Sequence, residues 1–116
     1  SGMSELVQRL ATGEHRVEIS LRPERTVAAL KQCIDRGYVH VRFTETRGGT
    51  ELGIPLDRER TDLSSADFEH GTGHLVLAGA LTLDYVNVRC IATIRLPELE
   101  GQGRLELIGA SVPSGV

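Results

Sequence analysis

Along residues 15 to 21 apolar and polar side chains alternate, with Val17, Ile19 and Leu21 on one side and Arg16, Glu18 and Ser20 on the other. That period of two predicts a half-buried strand. Upstream, Ser4 can cap a short helix through Leu6, Val7 and Leu10 that closes at Gly13, and a helix so short needs docking to persist. The pattern then changes period. Pro23 suits a first helical turn, Glu24 favours the positive end of the dipole and Gly37 supplies a left-handed stop, so the main helix is expected over about 24–36. Val27, Leu30 and Ile34 form its buried stripe.

Alternation resumes at Tyr38. Val39, Val41 and Phe43 share one face, and Tyr38, His40, Arg42 and Thr44 the other, before Gly48-Gly49 offers a tight turn. With those glycines as a two-residue loop, Phe43 is expected opposite Ile54, Val41 opposite Leu56 and Glu45 opposite Leu52. From Leu75 onward the apolar positions are odd up to Leu83 and even from Val88 to Leu96, so the chain must reverse or bulge near Asp84 to Asn87. A turn at Tyr85-Val86 predicts Leu83 opposite Val88, Leu77 opposite Ile94 and Thr82 opposite Arg89. Pro97 to Gly103 reads as a connection to a last strand through Leu105 and Leu107.

These elements assemble as α+β: a curved, mainly antiparallel sheet of about six strands, open or barrel-like, with the main helix on its apolar side and a short N-terminal helix. Val76, Ala78, Ala80 and Thr82 give one strand a semi-apolar reverse face, to be covered by a lid, by curling of the sheet or by a second subunit. The 116 residues correspond to a single domain, residues 1–116. Residues 1–2 resemble a cleavage remnant, 57–73 a long polar loop or lid, and 110–116 a flexible end.

Charge narrows the partners. Lys plus Arg number 13 against 16 Asp plus Glu, a net charge of -3, which argues against nucleic acid. Aromatic residues make up 3%, too few for base-stacking platforms, and no apolar run is long enough to span a membrane. Cys33 and Cys90 stand alone and suit a reducing cytoplasm. Nothing resembles a nucleotide-binding or nucleophile motif, so no cofactor is expected. His70 and His74 are separated by glycine-rich chain that disfavours a helical metal pair, so no metal is expected either.

Three groups of residues could carry chemistry. Glu45, if it faces the aliphatic side beside Phe43, would be a desolvated acid fit for proton transfer. His40 and Arg42, on the polar stripe with Tyr38, could recognise a carbonyl or carboxylate compound. Asp84, Tyr85 and Arg89, with Thr82 and Asn87, gather oxygen and nitrogen donors at the second reversal. Two functions fit. One is a small soluble protein that binds a small molecule, with Glu45 as acid or base and Arg42, His40, Asp84, Tyr85 and Arg89 as binding groups in a cofactor-free isomerase, cyclase or lyase. The alternative is a non-catalytic accessory or assembly protein, a homo-oligomer and in the simplest case a dimer, joined through the Val76, Ala78, Ala80 and Ile91 surface. Whether the chain is an enzyme is left open by its sequence.

Overall fold

Ser4 and Thr26 open the two helices of the computed structural model, which describes residues 4–109. The expected remnant at 1–2 and the end at 110–116 lie outside the described residues. Helix α1 (Glu5–Leu10) starts where Ser4 Oγ accepts from Val7 N–H at 3.2 Å, and it docks by burying Val7 and Leu10. Strand β1 (His15–Ser20) follows. Helix α2 (Val27–Arg36) is capped by Thr26, whose Oγ1 accepts from Ala29 N–H at 3.1 Å. It therefore begins later than the expected residue 24, because the extended Thr26 caps the first turn with a short side-chain hydroxyl, a role that Pro23 cannot fill and the longer Glu24 fills poorly. Gly37 ends it at φ 82°, as its position predicts, and Leu30 and Ile34 are its buried stripe.

The remaining strands are β2 (Tyr38–Phe43), β3 (Thr50–Pro55), the two-residue β4 (Ala66–Asp67), β5 (Thr72–Leu83), β6 (Val86–Arg95) and β7 (Glu100–Leu107). All pair antiparallel in the order β3-β2-β1-β7-β6-β5-β4. The α+β architecture with a curved antiparallel sheet is thus the observed one, and β4 accounts for the seventh strand. Both helices lie on the face where the alternating apolar residues gather, and no polar or charged side chain among the described residues is buried there. Desolvation pushes the thiol of Cys90, on this inner face, up to about 12, which keeps it protonated and unreactive.

Both expected hairpins form, each in a shifted register. In the first, Phe43 faces Thr50, Val41 faces Leu52 and Val39 faces Ile54. The glycines are not a two-residue loop: the connection runs from Thr44 to Gly49, with Gly48 and Gly49 at φ 73° and 77° and Gly49 N–H donating to Thr46 O at 2.9 Å. In the second, Leu83 faces Val86, Leu81 faces Val88, Leu77 faces Ala92 and Leu75 faces Ile94. Its turn is Asp84-Tyr85, at φ 50° and 67°. Asp tolerates the left-handed region, whereas β-branched Val86 does not, so the turn falls one residue earlier than expected. Both shifts are even in number, so every apolar residue keeps its face.

The connection read before the last strand is also revised, because Gly101 and Gly103 lie within β7 and are buried. A Cβ at Gly103 would stand 3.0 Å from the Val17 methyl, so glycine leaves room for the Val17 side chain where β1 pairs with β7. Residues 57–73, read as a polar loop or lid, follow the far edge of β5. Asp57 N–H donates to Ala78 O at 2.8 Å, Asp62 and Val76 exchange bonds of 2.8 and 2.9 Å, and β4 pairs with the start of β5. This run carries the end of β3 against β5, where a Cβ at Gly79 would collide with the Pro55 carbonyl oxygen. The sheet curls strongly as a result. No helix of the described residues is long and apolar enough to cross a membrane.

Candidate functional site

The outer, convex face of the sheet carries the polar halves of the alternating patterns. Across it runs one row set by strand register: Glu51, Arg42, Glu18, Glu100, Arg95 and His74. Arg42 Nε lies 3.7 Å from Glu18 Oε2, and Arg95 reaches Glu100 at 3.7 Å and Glu98 at 3.4 Å. Such exposed pairs contribute little to stability, about 0–1 kcal/mol each. His40 lies one step away, edge-on to the Tyr38 ring at 5.1 Å, and that ring covers Gly53. Beside them is a surface recess of about 250 Å³ lined by Glu18, Ser20, Arg22, Arg25, Arg42 and Glu51. Its Ser20 hydroxyl donates to Glu51 Oε1 at 2.9 Å. Arg25 is committed to the backbone, donating to Ile19 O at 3.1 Å, Glu98 O at 3.2 Å and Leu99 O at 2.9 Å. It fastens the end of β1 to the β6–β7 turn, where buried Leu99 sits at φ 57°.

Glu45 stands apart from this recess. It lies past the end of β2, with its side chain 55% exposed, and its Oε1 accepts from Arg16 N–H at 3.2 Å and lies 3.9 Å from His15 Nδ1. Its carbonyl accepts from Arg9 of α1 at 3.0 Å. The expected position opposite Leu52 is occupied by Val41, because the hairpin loop is longer than two residues.

The third group gathers at the end of the β5–β6 hairpin. Thr82 lies opposite Asn87 and donates to its Oδ1 at 2.9 Å, and Arg89 lies opposite Ala80, not opposite Thr82. On its other side Arg89 faces Glu106 of β7, yet the approach is long, 3.7 Å from Nη1 to Oε1. The other Glu106 oxygen, Oε2, is held by Arg104 Nη1 at 2.8 Å, and Arg104 also reaches Glu14 at 3.2 Å. The hydrogen bond from Arg104 holds the Glu106 carboxyl below its ordinary pKa, and the same bond raises that of Arg104. Arg89 Nε is buried with no hydrogen-bond partner among the described residues. Ala80, Thr82, Asn87 and Ile108 border a recess of about 280 Å³ on this outer face.

At the apex Asp84 is exposed, and no hydrogen bond or ion pair reaches it from the described residues. Tyr85 is 97% exposed. The apolar surface read at Val76, Ala78, Ala80 and Ile91 is only partly open. Ala78 is buried at the edge where Thr61 Oγ1 donates to its carbonyl at 3.2 Å, and Val76 is half-buried beside Asp62. Ala80 remains exposed and Ile91 half-buried, so the open part of that surface merges with the hairpin end. Sequence reading named Asp84, Tyr85 and Arg89 but missed Ile108, which joins them because its N–H donates to Asn87 O at 3.0 Å. No protein-family model matches the chain, and comparison with curated proteins gave no match.

Proposed function

We propose that this chain is an assembly protein that pairs with a second copy of itself through the outer face of its β5–β6 hairpin end. One observation carries the reading: Tyr85 is an aromatic residue at φ 67°, 97% exposed, on the tip of a long hairpin. A two-residue turn of this kind favours Asn-Gly or Asp-Gly, and a left-handed conformation at a bulky residue costs about 1–2 kcal/mol. Among the described residues the 97% exposed ring makes little contact that could repay that strain, and exposed aromatics of this type are common anchors of protein interfaces. Charge supports a like partner. Asp84 of one copy is opposite in sign to Arg89 of the other, so this end offers an attractive contact although the chain carries -3. The reading includes a reducing, cytoplasmic setting, which the two free thiols support.

Replacing Tyr85 by Gly separates assembly from folding. The variant gains the favoured Asp-Gly turn and loses the anchor, so its melting temperature is expected to stay level or rise while pairing weakens about 30-fold. Sedimentation equilibrium reads the result. The unaltered chain is expected at twice the 12.6 kDa of one chain and the variant at one. An unaltered chain that sediments at 12.6 kDa at all concentrations overturns the proposal.

The recess around Arg42 favours a second reading, in which the protein binds a small carboxylate or carbonyl compound there. Arg42 supplies a planar fork for such a group, and Glu18 is its only ion-pair partner among the described residues. Malonate is the probe. It is expected to shift the amide resonances of Ser20, Arg42 and Glu51, and Arg42→Ala to abolish those shifts; resonances unmoved at millimolar malonate exclude this reading.

A further inference from the structure

We infer that the two copies lock by reciprocal insertion, the apex of each hairpin seating in the outer-face recess of the other, with the partner's Asp84 completing the coordination of Arg89. The inference rests on the pairing proposed above and names the residues that would make it specific. It starts from two opposite charges on one hairpin that do not meet. Asp84 has no partner among the described residues, and Arg89 has a buried Nε without a partner and only a long approach to Glu106. They cannot meet within one chain, because strand register sets Arg89 opposite Ala80, well back from the turn.

A two-fold axis supplies the missing contact. In an isologous interface each residue of one copy meets its counterpart position on the other, twice. With the axis over the Thr82 and Asn87 pair and the hairpins antiparallel, the apex of one copy lies over the Ala80 and Arg89 pair of the other. That is where the small side chain of Ala80 leaves space, in the recess of about 280 Å³ closed at its side by Ile108. The Asp84 carboxylate enters on the Ala80 side and Tyr85 on the Arg89 side, and the carboxylate reaches across the small Ala80 to the terminal nitrogens of Arg89. Arg89 keeps 20% of its side chain exposed although its Nε is buried, so the contact falls to its terminal nitrogens. Glu106 turns Oε2 to Arg104 at 2.8 Å and leaves Oε1 at 3.7 Å from Arg89 Nη1, too far for a hydrogen bond.

Charge exchange between separate chains tests the contact. Asp84→Arg and Arg89→Asp are each expected to be monomeric alone, facing like charge with like at both ends of the interface. Mixed in equal amounts they are expected to form a one-to-one heterodimer, because both contacts then join Arg to Asp. Circular dichroism melts of the two variants establish that each is folded before mixing. Asp84→Asn is the milder check, since Asn suits the turn and removes only the charge; its dimer Kd is expected to rise about 10-fold, and less at high salt. If the unaltered chain dimerises but Asp84→Asn leaves Kd unchanged, or folded charge variants fail to combine, the insertion is overturned and the pairing stands. An unaltered chain that is monomeric overturns both.

Discussion

Phe43→Ala is expected to lower the unfolding free energy by about 4 kcal/mol, the largest loss from any single truncation in this chain. Phe43 is fully buried at the end of β2, opposite Val17 on one side and Thr50 on the other, with the His15 ring edge-on to it at 6.4 Å between ring centres. Few aromatic residues are available to this core, so its inner layer is filled mainly by branched aliphatics, and the space left by a missing ring has no large flexible neighbour to collapse into it. For a domain of this size the loss corresponds to a fall of roughly 15 °C or more in melting temperature. Phe68 provides the contrast. It is only half-buried beneath the Lys31 ammonium, so its truncation is expected to cost about 1–2 kcal/mol. Thermal and urea unfolding followed by circular dichroism measure both, and equal losses would contradict the burial described here.

Gly79→Ala has the second largest expected effect, and its sign is the informative part. At an unconstrained site the change from Gly to Ala stabilises by about 0.4–1 kcal/mol, since it reduces the freedom of the unfolded chain. At Gly79 the added methyl would collide with the Pro55 carbonyl oxygen and crowd the Ile54 side chain at 2.7 Å. Neither is the free end of a flexible side chain. The end of β3 must therefore withdraw from β5, straining the 2.8 Å bond from Asp57 to Ala78 that holds the curl. A loss of about 3 kcal/mol is expected, at the upper end of the range for overpacking. A variant as stable as the parent would mean that β3 and β5 do not meet. Hydrogen exchange sharpens the test, because the amides of Asp57 and Asp62 should lose protection before those of β1 and β7.

The faces of this sheet were legible in the residue pattern, and the registers were not. Alternation assigns Val39, Val41 and Phe43 to the core with Leu52 and Ile54 whatever the loop length, because every even slip returns the same side chains to the same face. Loop length decides the slip, and it depends on backbone conformation. Gly48-Gly49 invites a two-residue turn, yet both glycines serve the end of a longer loop. In the second hairpin the tolerance of Asp84 for positive φ moved the turn by one residue. Two further features depend on contacts distant in sequence. Gly101 and Gly103 resemble a connector until β1 is seen to pair with them, and residues 57–73 resemble a polar loop or lid until the edge of β5 is seen to bind that run.

The candidate site divides along the same line. Asp84, Tyr85 and Arg89 stand out by residue type near a reversal, and Arg42 and His40 by their alternation on a strand. That Thr82 bonds Asn87 while Arg89 stands by Ala80 follows only from the true register. Glu45 was drawn toward the core by the shorter loop and lies instead at the rim, beside Arg16 and His15. The recess at the hairpin end required Ile108, just past the end of β7, a residue that no local pattern connects to Ala80.

A dilution series of the unaltered chain, followed by amide resonances, tests the central claim most directly. Self-pairing through the hairpin end predicts that the signals of Ala80, Thr82, Asp84, Tyr85, Asn87, Arg89 and Ile108 move together as the concentration falls, while those of His40, Glu45 and Glu51 hold still. Signals at the hairpin end that do not change with concentration, or a concentration dependence centred on β2 and β3, would contradict it.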